Sequence, residues 1–375
     1  MASSIGRARI DLSGWVLTIV AVLVVLGFGL KKPDNNWDLI GYVAVALSAD
    51  GYRGARLNEE TYATLQKGVD ADTFQNLTTG PYRETVFKDP SSLAQQLPFY
   101  RIRVLYVGLI RLVHAMGADY LRSAYIVSAT FAALSVLLLA VISRQAGAPL
   151  IAVPLVVLFV GLLDVARLST PDAMACFFSL LTMYGLARKT ALVFVVASLL
   201  PLIRTDFLLL SLLVLGYTFV TGKRMHSVAA LVVAVVLYLL VTRMCGAYGW
   251  LTLFNMSLIS KTPYPASLVP SHVIGDYLRP YISTAYGFTM HPHFVIYGLA
   301  VFWLLTRRRV ERTDPEFHRI CAFLLIPLGF VLLHLLLFPA DTYRFFIFAA
   351  SLAAIWLLGQ IRSAGAPRSG ITREA

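Results

Sequence analysis

Asp38 lies in NNWDLIGYVAVALSADG, residues 35 to 51, just after the apolar run WVLTIVAVLVVLGFGLKK. Asn35 or Asn36, followed by Leu39, Tyr42, Val43 and Ala46, reads as a capped helix start. A carboxylate in a first turn gains from the helix dipole. One that looks into a cleft can instead act as a general base, taking a proton from a hydroxyl. A second cluster, LLDVARLSTPDAMACFF, sets Arg167 between Asp164 and Asp172. That arginine is either the ion-pair partner of the carboxylates or a phosphate ligand. Thr170-Pro171-Asp172 reads as cap, first-turn proline and first-turn acid. LIRTDFLLL puts Arg204 and Asp206 in a tight turn, and FPADTYRFF puts Asp341, Tyr343 and Arg344 at the start of a last helix. For both, salt-bridged helix ends are the plain alternative to a function. Lys261, His272, Arg279, His291 and His293 supply further donors. His291-Pro292-His293 lacks metal-ligand spacing on a helix, and Cys176, Cys245 and Cys321 are scattered, which supports neither a disulfide framework nor a zinc site.

The elements that must position these side chains are apolar. Of 375 residues, 58% are hydrophobic and 14% charged, which implies a polytopic membrane protein. The net charge of +12 is dispersed between apolar runs rather than gathered in one stripe, which argues against nucleic acid. The first run meets Lys31-Lys32-Pro33 without a cleavage site, so it reads as an anchor rather than a signal peptide. The chain is expected to form an all-α transmembrane bundle, one integral membrane domain over residues 1–375. Candidate spans fall near 12–30, 121–143, 148–163, 171–187, 190–203, 205–221, 225–243, 291–306, 319–337 and 342–360. Arg7 and Arg9, Arg144, Arg188 and Lys189, Lys223 and Arg224, the Arg307–Arg309 run with Arg312, and Arg362 with Arg368 fall at alternate ends. The positive-inside rule then makes both termini cytoplasmic and leaves two long outer loops, 31–120 with juxtamembrane helices and 244–290. Residues 98–117 must lie on the membrane for this to hold, and Arg103, Arg111 and His114 share one helical stripe as an interfacial helix would. If that segment crosses, there are eleven spans. NEETYATLQKGV and DPSSLAQQL read as short helices in the first outer loop.

Carboxylates and guanidinium groups from several distant turns thus gather on one membrane face, while the other carries mostly isolated basic residues. The asymmetry suits a site for an anionic amphiphile, with a phosphate head for arginine and a tail between helices.

In this order of features the chain resembles the GT-C glycosyltransferases, closest to the aminoarabinose-transferase and protein-mannosyltransferase branch. NNWDLIGYVAVAL resembles the juxtamembrane helix headed by an acidic residue, and by resemblance Asp38 takes the catalytic position. Gln95-Gln96-Leu97-Pro98-Phe99-Tyr100 stands where that family has a Lys-Pro-Pro-Leu-like entry; the lysine is missing, and Arg101 or Arg103 could supply its charge. MGADYLRSAYIVSATFAAL, with Gly117 and Arg122, ARLSTPDAMACFF and TYRFF resemble later family features. The family's large soluble C-terminal domain has no counterpart here. The resemblance implies inverting transfer of a sugar from a polyprenyl-phosphate donor to a glycan, lipid or protein acceptor outside a bacterial inner membrane. Arg167, Arg204 and Arg344 are the leaving-group candidates in declining order, with Arg101, Arg103 and Lys261 as further phosphate donors. Asp172 would orient Arg167, or bind a sugar or a divalent ion; relatives differ in metal use, so a divalent cation stays open. Trp37, Tyr42 and Tyr100 either stack on the sugar or anchor the chain at the interface. A transporter or flippase of a lipid-linked saccharide, and a scaffold subunit, are the rival readings.

Overall fold

The computed structural model describes residues 2–364 apart from 308–310, 312–313 and 341, and only the backbone of residues 2–10 and 363–364. Arg308, Arg309, Arg312, Asp341 and Arg368, and the side chains of Arg7 and Arg9, therefore lie outside the described residues. Every regular element among the described residues is helical, save one isolated bridge, Asp34 to Leu168.

The order is α1 (Ala2–Lys31), α2 (Asp38–Ala49), α3 (Gly54–Gly68), α4 (Ala71–Thr78), α5 (Pro81–Lys88), α6 (Pro90–Arg101), α7 (Val104–Ala115) and α8 (Tyr120–Ala146). Then come α9 (Val153–Phe159), α10 (Leu162–Arg167), α11 (Asp172–Ala187), α12 (Leu192–Ile203), α13 (Leu208–Val220) and α14 (Arg224–Met244). The chain ends with α15 (Trp250–Phe254), α16 (Ile274–Thr289), α17 (Pro292–Thr306), α18 (Pro315–Ile320), α19 (Ile326–Leu337) and α20 (Ile347–Ala364).

By length and hydropathy, four stretches among the described residues could cross a membrane: Asp11–Lys31, Tyr120–Ala146, Arg224–Met244 and Pro315–Leu337. A fifth arises if α16 and α17, bent by 86°, count as one. The other apolar helices run 10–17 residues. Apolar side chains face outward on the long helices, and small polar ones lie between helices. Leu12, Val16, Val20 and Leu23 on α1, and Val232, Val236 and Leu239 on α14, face outward, while Ser128, Ser135, Ser179, Thr182 and Ser211 are buried between helices. Small residues permit the closest approaches: a Cβ on Gly29 would lie 2.6 Å from the Ala166 carbonyl, and one on Gly359 2.5 Å from that of Ala146.

Three expected elements differ in shape. The segment near 148–163 is a 3₁₀ turn, α9 and α10, broken at Gly161, whose φ of +77° only glycine adopts freely and whose open face meets the Tyr343 ring. The segment 98–117 is not one amphipathic helix: α6 ends at Arg101, and α7 begins anew at Val104 and, at 12 residues, spans about 18 Å. Its basic stripe is divided accordingly. Arg111 pairs with Asp50 at 3.3 Å, His114 stacks on Tyr120, and Arg103 turns elsewhere. Third, α2 lies inside the packing rather than on its surface, since Leu39–Ser48 are all buried among α3, α6, α7 and α8.

The connections sort into two ends. At one, Asp34 N–H donates to the Arg167 carbonyl at 2.9 Å, Trp250 Nε1 to Leu337 at 3.0 Å and Thr284 Oγ1 to Pro339 at 2.6 Å. At the other, Arg319 Nη2 donates to Gln145 at 2.8 Å, and His318 bonds the Leu186 carbonyl through Nε2 at 2.9 Å and the Tyr217 hydroxyl through Nδ1 at 2.8 Å. The turns that the basic-residue pattern assigns to one face therefore meet at one end, roofed by α2–α7.

Candidate active site at one end of the bundle

Beneath the roof is an open cavity of about 320 Å³, lined by α2, α6, the starts of α11 and α20, the α12–α13 turn and the loop after α15. The loop is brought in by α6. Ser92 Oγ and Gln96 Nε2 donate to the Pro263 carbonyl at 2.7 and 2.9 Å, Tyr248 donates to Gln95 at 3.1 Å, and Tyr264 donates to Asp89 at 2.7 Å, which holds the Asp89 carboxyl below its ordinary range. This clasp delivers Lys261 to the cavity.

A chain of charges crosses the floor. Tyr100 donates to Asp38 Oδ1 at 3.4 Å, and Arg344 Nη2 donates to Asp38 Oδ2 at 3.2 Å. Arg344 Nε is 3.1 Å from Asp172 Oδ2, an ion-pair contact without hydrogen-bond alignment. Asp172 also accepts from Arg204 Nη1 and, at 2.8 Å, from Thr170 Oγ1. Arg204 grips Asp206 with two nitrogens, at 3.2 and 2.9 Å, under the Phe345 ring 3.8 Å from its guanidinium carbon. Asp206 reaches the buried His334 at 3.0 Å. Six pieces of chain are joined this way.

The two lining carboxylates are not equivalent. Asp172, 1% exposed, is enclosed by two arginines and a threonine, so its lone pairs are spent. Asp38, 30% exposed, holds two longer bonds and opens to the cavity. Neither Asn35 nor Asn36 caps its helix: Trp37 occupies the cap without a side-chain bond, and the side-chain oxygens of both asparagines are buried and unpartnered. Thr170 likewise serves the Asp172 carboxylate instead of a helix amide.

The lining cations divide in the same way. Arg204 and Arg344 are matched by carboxylates. Arg103 and Lys261 line the cavity with no carboxylate in ion-pair reach among the described residues. Arg103 donates to the Phe99 carbonyl and keeps a buried, unpartnered Nε. Lys261 lies 4.4 Å over the Tyr82 ring; burial, then the neighbouring Arg83, pushes its ammonium below the usual lysine range.

Two other expected phosphate donors are elsewhere. Arg167 does not line the cavity: its Nε donates to the Lys32 carbonyl at 2.6 Å and its guanidinium lies 5.1 Å from the Phe28 ring, tying α10 to the end of α1. Nor does Asp172 orient it. Arg101 bonds Ser48 Oγ at 3.0 Å outside the cavity. Of the expected sugar contacts, Tyr42 lines the cavity but is buried, in T-shaped contact with Tyr100 and Tyr106, ring centroids 5.1 and 4.9 Å away. Tyr100 is spent on Asp38. Trp37 lines the cavity beside Tyr82, 5.4 Å between centroids. Tyr82 and Gln96 are joined at 2.9 Å; Gln96 lies in the Gln95–Tyr100 stretch, whereas the sole sequence signal for Tyr82 is the polar-aromatic texture of residues 31–120. Among the described residues no group of three His, Cys, Asp or Glu side chains could hold a metal, and His293 bonds the Val160 carbonyl at 3.0 Å, away from the cavity. No protein-family model, curated protein or solved structure matches the chain.

Proposed function

We propose that the cavity is the active site of a membrane glycosyltransferase that takes a sugar from a polyprenyl-phosphate donor and passes it to an acceptor hydroxyl or amine. One observation carries the reading: a single accessible carboxylate, Asp38, shares a cavity with two cations, Arg103 and Lys261, that form no ion pair with any carboxylate among the described residues. That combination suits one group that gives up a proton and another that carries negative charge.

In this reaction Asp38 accepts the proton of the acceptor as its heteroatom bonds to the anomeric carbon. The bond from that carbon to the donor's phosphate oxygen breaks, its electron pair leaves with the polyprenyl phosphate, and the configuration inverts. Arg103 and Lys261 meet the charge gathering on the phosphate. Arg344 holds Asp38 aimed, while Asp172 and Arg204 fix Arg344. Trp37 and Tyr82 offer aromatic faces for a sugar. The bundle crosses a cell membrane ten times in this reading, with the cavity outside, both termini in the cytoplasm, and the donor tail in the lipid.

The test is mass spectrometry of lipids that copurify with the wild-type protein and with Asp38→Asn, both checked for intact folding. Polyprenyl phosphate from the first and polyprenyl-phosphate sugar from the second identify a stalled transferase. A saccharide lipid bound equally by both, and moved across vesicles by both, identifies a flippase instead. If neither carries a polyprenyl species even when supplied, the reading fails.

A further inference from the structure

A second cavity, of about 370 Å³, lies at the opposite end, where the ends of α11 and α13 meet the starts of α12, α14 and α18. The 16 residues of α11 separate it from Asp172 by about 24 Å. Lys189, Lys223 and His226 line it against one carboxylate, Asp314. Asp314 already accepts from the Glu316 N–H at 2.7 Å as the cap of α18. Neither lysine has an ion-pair partner among the described residues. The rest of the lining is largely apolar, with Leu186, Phe194 and Tyr217, and Tyr217 is fixed by its bond to His318.

Lys189 is the independent sign that this place is used. Its φ of +54° makes it the one non-glycine left-handed residue among those described. It closes α11, its N–H donating to Leu186 at 3.0 Å while that of Thr190 donates to Gly185 at 3.0 Å. Glycine is the favoured residue at such a helix end, and a lysine held there against backbone preference is a strained residue at a cavity mouth.

We propose that this cavity binds a phosphate group borne on an apolar chain, the headgroup of an anionic phospholipid. Basic pockets between membrane helices take lipid phosphates in this way. The exposed Val220, Met225 and Val228, adjoining the lining residues Thr221, Lys223 and His226 in the chain, provide an apolar surface for an acyl chain. Inorganic phosphate shares the headgroup's charge, so the experiment separates the two sources.

The full-length protein in neutral detergent is titrated with dioctanoyl phosphatidylglycerol, and separately with inorganic phosphate, and bound species are counted by native mass spectrometry. The expected result is saturable lipid binding, weakened about tenfold or more by joint Lys189→Gln and Lys223→Gln and unchanged by Lys67→Gln, an exposed lysine on α3 at the other end. Lys189→Gly separates charge from backbone: it should raise the melting temperature by relieving the left-handed strain and still weaken binding. Equal binding by wild type and double variant, with unaltered melting, overturns the proposal. So does displacement of the lipid by inorganic phosphate at equal concentration, which would make free phosphate the ligand.

Discussion

Arg204→Met tests whether the charge chain holds the site together. Arg204 is 6% exposed and is the shared partner of Asp172 and Asp206. Its removal leaves Asp172, 1% exposed, with Arg344 and Thr170 alone, and leaves Asp206 with His334. Removing one member of a buried pair costs about 3–5 kcal/mol, because the other charge stays desolvated. At about 2 °C per kcal/mol, the expected fall in melting temperature is roughly 6–10 °C. Methionine keeps the packing under Phe345, so lost volume contributes little. The assay is thermal unfolding in detergent followed by tryptophan fluorescence. Arg204→Met combined with Asp172→Asn should then recover about 1–3 kcal/mol relative to the sum of the single changes, since the stranded charge is gone. A fall below about 2 °C for Arg204→Met, or strict additivity in the double variant, would refute the reasoning.

Asp38→Asn should abolish turnover, by about 10²–10⁴-fold, with melting within about 2 °C of wild type, because Asp38 is partly exposed and its bonds are long; transfer assayed with a labelled donor lipid reads the first, fluorescence the second. Arg103→Gln should weaken donor binding by about 10- to 100-fold, as loss of a charged hydrogen bond implies, whereas Arg167→Ala should leave it within about threefold; donor titrations of the two variants decide between the cavity and the sequence order of candidates. In the proposed reaction, donor binding needs the charged form of Lys261. Since burial lowers that lysine's pKa, affinity should be full at low pH and be lost, as pH rises, earlier than an ordinary lysine's value near 10.4 would imply. Lys261→Arg, always charged, should remove the pH step; an unchanged step would assign it to another group.

What the sequence makes legible is what is local. Apolar runs report helices because apolar residues need an apolar surrounding, and the alternation of basic turns reports which turns share an end. The short helices between α2 and α7 are legible from their own polarity and caps: Asp89 before Pro90 starts α6 by accepting the Ser91 N–H at 2.8 Å. The breaks are fainter. Gly161 is the one mark of the α9–α10 break, and the Tyr343 ring that a Cβ there would meet comes from across the bundle. Which arginine serves which carboxylate is not local at all. Arg204 meets Asp172 from 32 residues away and Arg344 meets Asp38 from 306, so proximity in sequence pointed to Arg167 beside Asp172, where the backbone of α10 instead turns that side chain to Lys32.

A charge inside a packed helical end stays only if something answers it, because desolvating it alone costs several kcal/mol. Asp172, Arg204, Asp206 and Arg344 answer one another, and Arg344 also reaches Asp38. Arg103, with an unpartnered Nε, and Lys261, with a depressed pKa and only an aromatic ring beneath it, are not answered by carboxylates within the described chain. The same distinction separates Asp38 from Asp172 among the acids. The residues that protein contacts leave unsatisfied are therefore the ones for which a ligand is the economical explanation: an anion at Arg103 and Lys261, and a proton donor at Asp38. A cavity whose only job was packing would have no reason to hold both kinds at once.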